Sequence, residues 1–387
     1  MNDPARRLTR AHLDELPSYR PGRRPEQLAG ELGIAQAVKL SSNELPFGPL
    51  PGVTEAVADA AAQLHRYPDM FAGRLRDALA RRHGVDPGEV VTGCGSVALC
   101  EHLALACAAP GDEIVFGWRS FEAYPLIASR LDARAVRVPN TADHRLDIDG
   151  IIKALTPDTR MIFLCSPNNP TGTAVRADEL NRLLAAVDGN TLVVLDEAYR
   201  EFVTDGQVPD GLTLRNEHPN LVVLRTFSKA WGLAAARLGY LIATPEIAAA
   251  VAKVLTTYST SGLAQAAGLA ALAQEAESAR RVAIIIKERD RVVAGLRKFV
   301  PRIPDSQGNF CWLPVGEQAA EIAAAFETNG IIVRGFSPDS SEMASHGGVR
   351  ISIGSPEEND ALLTASETVF ARRHAVSLPP VAPHSFG

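Results

Sequence analysis

The chain has 387 residues, of which 46% are hydrophobic and 22% charged, so it can bury a sizeable core and form two domains. Its formal net charge of −6 argues against a general nucleic-acid binder or a binder of acidic membranes. Its five cysteines include no C-x-x-C pair, and its histidines lack ligand spacing, which argues against a disulfide framework and against a metal site.

The two ends of the chain differ in composition from the rest. Residues 1–25 contain several prolines and arginines and are predicted to form an N-terminal arm. Residues 374–387 contain three prolines and are predicted to be a disordered tail. The polar opening lacks the apolar core of a signal peptide, and no apolar stretch approaches the ~18 residues of a membrane span. We therefore expect a cytoplasmic protein with no membrane partner.

Short apolar runs alternate with helical stretches along the first two thirds of the chain. The strand-like runs are residues 90–92, 113–116, 135–138, 161–164, 192–195, 221–224 and 239–243. This alternation predicts an α/β fold with a mostly parallel sheet wrapped by helices.

The last third of the chain has a different pattern. Residues 262–299 are rich in alanine and charged residues and predict one or two long helices. Strands are predicted at 309–313 and 349–353, with a helix at 319–329. We predict a large domain over residues 50–275 and a smaller α+β domain from residues 26–49 and 276–373.

Polar residues follow the predicted strand 221–224, among them Thr226, Ser228 and Lys229. Ligands of α/β proteins bind at the carboxyl ends of such strands. A lysine that loses water there and has cations nearby has a lowered pKa, and its amine becomes a nucleophile for aldehydes. The two hydroxyls and the planar guanidinium of Arg237 could hold a phosphate. An aldehyde-binding lysine beside a phosphate site predicts pyridoxal 5'-phosphate as the cofactor.

Two further strand ends carry groups that suit this cofactor. Asp196 and Tyr199 follow the run 192–195, and Asn169 follows the run 161–164. A carboxylate such as Asp196 keeps the pyridine nitrogen protonated, which the cofactor needs in order to accept electrons. Tyr199 and Asn169 could both donate hydrogen bonds to the phenolic oxygen. Each residue alone suits an ordinary turn or strand end, but together they argue for one site.

These segments resemble the fold-type I pyridoxal-phosphate-dependent aminotransferases, with the aspartate-aminotransferase-like fold, in the histidinol-phosphate aminotransferase subgroup. The matching stretches are LSSNE at 40–44, RYPD at 66–69, CSPNNPTG at 165–172, DEAY at 196–199, RTFSKAWGL at 225–233 and VRISIG at 349–354. A closer resemblance, to the actinobacterial aromatic (phenylalanine) aminotransferases, rests on GCGSV at 93–97 and FGWRSFE at 116–122.

The resemblance implies roles for individual residues around the cofactor. Lys229 would bond to its aldehyde and later move the α-proton of the substrate, and Asp196 would pair with its pyridinium. Asn169 and Tyr199 would contact the phenolic oxygen, and Phe121 would stack on the ring. The phosphate would be held by backbone N–H groups at a helix start and by polar side chains, namely Gly95, Ser96, Thr226, Ser228 and Arg237.

The resemblance also implies partners. Tyr67 would reach the phosphate from a neighbouring subunit, so that the active site would belong to a homodimer. The substrates would be small molecules, namely amino acids and 2-oxo acids. Arg350 would bind the α-carboxylate with help from Asn43, and Arg334 would contact the distal part of the substrate.

Three functions remain open at this point. We favour an aminotransferase that uses 2-oxoglutarate. A second possibility is another chemistry of the same cofactor, such as decarboxylation of a phospho-amino acid. The third is a regulator without activity, but an arm of about 25 residues is too short for the helix-turn-helix domain that such regulators carry. Intact Lys229, Asp196 and Tyr199 also argue against an inactive protein.

The substrate is the least determined feature. Histidinol phosphate needs a cationic contact, which Arg334 could provide, whereas an aromatic amino acid needs an apolar slot. Tyr19, Trp118, Phe121 and Tyr124 are available for apolar contact. We predict phenylalanine, tyrosine and tryptophan as substrates on the closer resemblance, with histidinol phosphate as the alternative.

Overall fold

Strands and helices alternate in the computed structural model, which describes residues 23–338 and 347–376, the last five of these without their side chains. The strands are β1 (Val38–Lys39), β2 (Val90–Cys94), β3 (Glu113–Trp118), β4 (Arg134–Pro139), β5 (Thr159–Cys165), β6 (Leu192–Asp196), β7 (Leu221–Thr226), β8 (Leu238–Ile242), β9 (Phe310–Leu313), β10 (Ile331–Ile332), β11 (Arg334–Phe336) and β12 (Gly348–Ser352). The helices are α1 (Pro25–Leu32), α2 (Val53–Ala61), α3 (Gly73–His83), α4 (Gly95–Cys107), α5 (Ala123–Arg130), α6 (Ile148–Ala154), α7 (Ala177–Ala186), α8 (Pro245–Val254), α9 (Gly262–Leu272), α10 (Glu275–Leu296), α11 (Ala319–Glu327) and α12 (Pro356–Val376).

A seven-stranded sheet in the order β2-β8-β7-β6-β5-β3-β4 forms the larger part of the molecule. Its strands are parallel except β8, which runs antiparallel to both β2 and β7. All seven strands were predicted from the sequence. Strands that are buried on both faces read as continuous apolar runs, which is why the sequence signal for them was strong.

Helices cover both faces of this sheet. Alternate residues of a strand point to opposite faces, so Val194 packs with α4, α5 and α8 while its neighbour Val193 packs with α6 and α7. On the first face, Leu103 of α4 and Ile127 of α5 are completely or almost completely buried. On the second face, Ile151 of α6 is completely buried. The sheet is therefore the central layer of a three-layer α/β arrangement, as predicted.

A smaller three-stranded antiparallel sheet, in the order β11-β12-β9, packs with α10, α11 and α12 in a separate hydrophobic core. The predicted strands at 309–313 and 349–353 and the predicted helix at 319–329 are present as β9, β12 and α11. The region 262–299 forms two helices, α9 and α10. Strands β1, β10 and β11 were missed because two or three residues are too short to show a periodic pattern.

Strand β1 pairs in parallel with β10. This pairing attaches the segment before residue 50 to the part of the molecule that contains the small sheet. This pairing agrees with a small domain built from two separate segments, although the limits of the domains stay a prediction. Helix α1 begins at the last residue of the predicted arm, and residues 1–22 lie outside the described part. Helix α12 ends at Val376, inside the predicted tail, and residues 377–387 are not among those described.

Among the helices that the structure describes, none combines the length and the apolar character that crossing a membrane requires.

Candidate active site

A cavity of about 1150 Å³ opens at the carboxyl ends of β5, β6 and β7, between the large sheet and the small one. Its wall includes every predicted site residue except Gly95 and Tyr67. The large sheet contributes Asp196 and Lys229, and the small sheet contributes Arg334 and Arg350. Residues that are far apart in the sequence therefore meet around one volume, which is large enough for a cofactor and a substrate.

Lys229 lies three residues beyond Thr226, where β7 ends, and it is partly buried in the wall of this cavity. Its Nζ donates hydrogen bonds to the carbonyl oxygens of Ser42 and Asn43, each at 3.3 Å. Burial and the positive charges of Arg350 and Arg237 lower the pKa of Lys229 to about 7, against a smaller opposing effect of Glu44. A substantial fraction of this amine is therefore unprotonated and nucleophilic near neutral pH.

Asp196 ends strand β6 and is 2% exposed. One carboxylate oxygen accepts a hydrogen bond from the hydroxyl of Tyr124 at 2.9 Å, and the other accepts one from the N–H of Ala198 at 3.2 Å. Burial raises the pKa of Asp196 to about 6, although both hydrogen bonds oppose this rise. The charged form of a carboxylate this deeply buried is strongly stabilised by a nearby cation, and a protonated ring nitrogen would be such a cation.

Two aromatic residues considered for substrate contact are buried elsewhere. Tyr124 is completely buried, stacks on Phe163 with ring centres 4.5 Å apart, and uses its hydroxyl on Asp196. Trp118 is 4% exposed and packs against Phe116. Neither ring is available to a substrate in this structure. Tyr19 lies outside the described residues.

Phe121 is the predicted ring-stacking residue, and it is partly buried in the cavity wall. Its ring meets the ring of Tyr124 edge to face, with centres 5.6 Å apart and planes at 87°. Phe121 therefore contacts the tyrosine that binds Asp196, and both Phe121 and Asp196 line the cavity.

The start of helix α4, Ser228 and Arg237 enclose a small space, here called the cradle, where the phosphate site is predicted. Gly95 has a φ of +78°, and a Cβ added there would lie 2.6 Å from Nη2 of Arg237. Arg237 also donates from Nη1 to the hydroxyl oxygen of Ser228 at 3.4 Å. No described side chain caps the first turn of α4, so the N–H groups of Gly95 and Ser96 are available to an anion. The cradle fits a phosphate group, and a side chain at position 95 would fill it.

Thr226 supports this cradle from the end of β7. Its hydroxyl oxygen accepts a hydrogen bond from the N–H of Ser228 at 3.1 Å and donates to the carbonyl oxygen of Leu238 at 3.3 Å. Thr226 therefore shapes the turn that carries Ser228 and Lys229.

Hydrogen bonds connect the residues predicted to contact the phenolic oxygen with those predicted to contact the substrate. Asn43 donates from Nδ2 to the hydroxyl oxygen of Tyr199 at 3.0 Å, and Arg350 donates from Nη1 to Oδ1 of Asn169 at 2.6 Å. Arg350 also donates to the carbonyl oxygen of Ser41. Burial raises the pKa of Tyr199 well above its ordinary value, so this phenol keeps its proton and can act as a donor.

Arg334 lies directly opposite Arg350 in the antiparallel pair β11 and β12. Its Nη2 is 3.3 Å from Oε2 of Glu122, and its guanidinium carbon is 5.7 Å from the ring centre of Phe336. Sequence reasoning placed Arg334 near the distal part of the substrate but missed Glu122. Glu122 belongs to the stretch at 116–122, but nothing in the sequence connects it with an arginine 212 positions away.

Tyr67 lies apart from the cavity and is 82% exposed. It stacks on Tyr258 with ring centres 4.6 Å apart, and Tyr258 is itself 40% exposed. Leu64 nearby in sequence is 70% exposed. In the single chain Tyr67 does not join the other predicted phosphate ligands, and its contact with a second subunit stays a prediction.

Comparison with known proteins gives a consistent result. Residues 35–365 match the family model described as aminotransferase class I and II. An aromatic amino acid aminotransferase of Thermobifida fusca (strain YX) is 50% identical over 359 residues, which are 93% of this chain and 96% of that protein. The structure of histidinol-phosphate aminotransferase from Sinorhizobium meliloti in complex with pyridoxal-5'-phosphate superimposes with a TM-score of 0.82 at 28% identity, covering 95% and 98% of the two chains.

A third comparison concerns the fold alone. Aspartate aminotransferase from Thermotoga maritima superimposes with a TM-score of 0.79 at 21% identity, covering 93% of this chain and 99% of that one. The predicted aspartate-aminotransferase-like fold is thereby confirmed, as is the resemblance to aromatic and histidinol-phosphate aminotransferases.

The cradle at Gly95 leads to a first prediction. Gly95→Ala should weaken the binding of pyridoxal phosphate to the apoprotein by about tenfold or more, because its Cβ would collide with Arg237. Fluorescence titration of the apoprotein with the cofactor measures this change. Gly52→Ala is the matched control, since Gly52 has a φ of +77° but no described heavy atom lies within 4 Å of an added Cβ. Both variants should lose similar stability from the backbone strain of about 1–2 kcal/mol. Equal cofactor affinity in the two variants would show that position 95 is not part of the cradle.

Proposed function

Because the chain belongs to the aminotransferase class I and II family, we propose that it transfers amino groups from aromatic amino acids to 2-oxoglutarate with pyridoxal 5'-phosphate as its cofactor. The products would be aromatic 2-oxo acids and glutamate. The observation that carries this proposal is the partly buried Lys229, whose pKa of about 7 is set within the same cavity as Asp196 and Arg350. A nucleophilic amine, a buried carboxylate and a carboxylate-binding arginine together are what transamination requires.

The residues of the cavity fit the proposed cofactor. Gly95, Ser96, Ser228 and Arg237 would hold its phosphate, with Thr226 supporting the turn, because a Cβ at position 95 would fill the space that they enclose. Asp196 would face the pyridine nitrogen, Asn169 and Tyr199 the phenolic oxygen, and Phe121 the ring. When bound, pyridoxal phosphate supplies an aldehyde that reacts with amino groups and a protonated ring that accepts electrons from the α-carbon.

Lys229 would perform the proton transfer in this reaction. Its Nζ is held by the carbonyl oxygens of Ser42 and Asn43, and its lowered pKa lets it both accept and return a proton near pH 7. We assign to Nζ the removal of the proton from the α-carbon of the substrate. Asp196 would keep its negative charge beside the ring nitrogen and so keep that nitrogen protonated, which lets the ring accept electrons from the α-carbon.

Arg350 would orient the substrate. It is 8% exposed, and its guanidinium carbon lies 5.9 Å from the ring centre of Phe310 and 5.7 Å from that of Phe336. In such a dry environment a guanidinium binds a carboxylate strongly and in a defined orientation. Asn43, which already contacts Tyr199, would assist by keeping the substrate side of the cavity in place.

Aromatic substrates are supported by two observations. The relative from Thermobifida fusca, half identical to this chain, is named an aromatic amino acid aminotransferase. In addition, Arg334, the cation that a phosphate at the distal end would need, already pairs with Glu122 and lies beside the ring of Phe336. Histidinol phosphate is the alternative substrate, because the structure of a histidinol-phosphate aminotransferase from Sinorhizobium meliloti also superimposes on this chain.

We therefore predict a substrate preference. With 2-oxoglutarate as acceptor, kcat/KM for phenylalanine should exceed that for histidinol phosphate by on the order of tenfold or more, which corresponds to about 1.4 kcal/mol of transition-state binding. Steady-state rates measured with the same enzyme preparation provide the comparison. A preference for histidinol phosphate would replace the proposal by the alternative. Release of carbon dioxide from a phospho-amino acid, without transamination, would point to a decarboxylase.

A further prediction concerns Lys229. Borohydride reduction of the holoenzyme should attach the cofactor to the peptide that contains Lys229, as detected by mass spectrometry, and Lys229→Ala should abolish both attachment and transamination. Because the amine loses its proton as the pH rises through about 7, attachment to the apoprotein should become faster between about pH 6 and 8. Lys253→Ala, at an exposed position of α8, is the control that should retain both properties. Turnover near the wild-type rate in Lys229→Ala would remove this lysine from the mechanism.

We also propose that the enzyme acts as a homodimer in the cytoplasm. The support for the dimer is the exposed stacked pair of Tyr67 and Tyr258, with the exposed Leu64 three residues before Tyr67 in sequence, since exposed large apolar side chains are typical of interaction surfaces. Tyr67 of one subunit would then complete the phosphate site of the other.

Subunit mixing tests this arrangement. If Tyr67→Ala alone strongly weakens cofactor binding, a mixture of Tyr67→Ala and Lys229→Ala should regain activity, because one site of each heterodimer then has both wild-type residues. The measurement is transamination after mixing under conditions of proven subunit exchange. Absence of any recovery, with Tyr67→Ala impaired on its own, would mean that Tyr67 acts within its own chain.

A further inference from the structure

We propose that Glu122 determines specificity in the distal part of the cavity. It would neutralise Arg334 while an apolar side chain is bound and release Arg334 when the side chain carries a carboxylate. This inference rests on the proposed function, since it explains how one cavity serves both an aromatic amino acid and glutamate.

The ion pair spans the cavity. Glu122 immediately precedes helix α5 on the side of the large sheet, whereas Arg334 is in β11 of the small sheet, and both side chains line the cavity. The atoms Oε2 of Glu122 and Nη2 of Arg334 are 3.3 Å apart. The pair therefore lies between the two parts of the molecule that form the opposite walls of the site.

Arg334 is placed to meet the far end of a substrate. It is the direct cross-strand neighbour of Arg350, so a ligand held at its α-carboxylate by Arg350 extends within reach of Arg334. The two arginines differ in their surroundings. Arg350 is 8% exposed, whereas the side chains of Arg334 and Glu122 are 29% and 46% exposed.

Neutralisation by Glu122 favours an aromatic side chain. An uncompensated guanidinium would lose hydration when an apolar group covers it, and this loss opposes binding. Paired with Glu122, Arg334 has little net charge to desolvate, and its planar group already lies beside the ring of Phe336. An aromatic substrate can therefore occupy the same region without leaving a charge unpaired.

The same ion pair is weak enough to exchange. A salt bridge between side chains this accessible to water contributes little, so a substrate carboxylate can replace that of Glu122 at small cost. The displaced Glu122 remains in contact with water.

Several other charged residues of the cavity wall form ion pairs that do not involve Arg334. Arg23 pairs with Glu31 and Glu327, and Arg130 pairs with Glu101. Glu44 pairs with Lys39 at 2.9 Å. Glu122 is therefore the acidic side chain that directly contacts Arg334 among the described residues.

The test uses ligands that bind but do not react. In Glu122→Gln holoenzyme, glutarate, with two carboxylates, should bind about fivefold more tightly than in the wild type, because it no longer competes with Glu122 for Arg334. Binding of 3-phenylpropionate, with one carboxylate and a ring, should weaken or stay the same. Isothermal titration calorimetry measures both affinities without turnover. In steady state, KM for 2-oxoglutarate should fall while kcat/KM for phenylalanine does not rise.

Two further variants identify the cause. Glu327→Gln removes a comparable charge from the cavity wall, at the partner of Arg23, and should leave the glutarate affinity unchanged. In an Arg334→Gln background, Glu122→Gln should no longer change the affinity for glutarate, since the arginine that Glu122 pairs with is absent.

Three outcomes would overturn the proposal: unchanged glutarate affinity in Glu122→Gln, an equal gain in Glu327→Gln, or a gain that persists without Arg334. A preference of the wild type for histidinol phosphate would instead contradict the proposed function. The calorimetric result with glutarate still decides the role of Glu122 in that case, because it requires no particular amino donor.

Discussion

The parallel pairing of β5, β6 and β7 is the constraint on which the candidate site depends. Cys165 at the end of β5 is in register with Asp196 at the end of β6, and Asp196 is in register with Leu224 of β7. Strands that run in one direction end at one edge of the sheet, so the segments that follow them are brought together. The carboxylate of Asp196 and the amine of Lys229 share a cavity for this reason.

A buried ion pair next to this edge links the end of β6 to β7. Glu197, next to Asp196, accepts two hydrogen bonds from Arg225, at 3.0 and 2.7 Å, and Arg225 also donates to Asp210. Arg225 and Glu197 are 7% and 2% exposed, so removal of either partner would leave a buried charge without compensation. The pair therefore links the end of β6 to β7 close to Asp196 and the other residues of the candidate site.

Burial separates the functions of similar side chains in the cavity. Arg350, enclosed by Phe310 and Phe336, lowers the pKa of Lys229, whereas its neighbour Arg334 is more exposed and pairs with Glu122. Water screens the exposed charge and leaves the enclosed one effective. One arginine is thus suited to a constant contact with the α-carboxylate, and the other to a contact that changes with the substrate.

The sequence alone determined the strands of the large sheet, because strands buried on both faces are continuous apolar runs, and it determined which chemical groups follow those strands. Lys229, Asp196 and Asn169 were identifiable for this reason. Only the tertiary structure decided which residues meet: Tyr124 binds Asp196, Arg350 binds Asn169 and Glu122 binds Arg334. These partners are 72, 181 and 212 positions apart. Their contacts follow from the order of strands in the sheet and the packing of the small sheet against the large one, and neither leaves a periodic or local signal in the sequence.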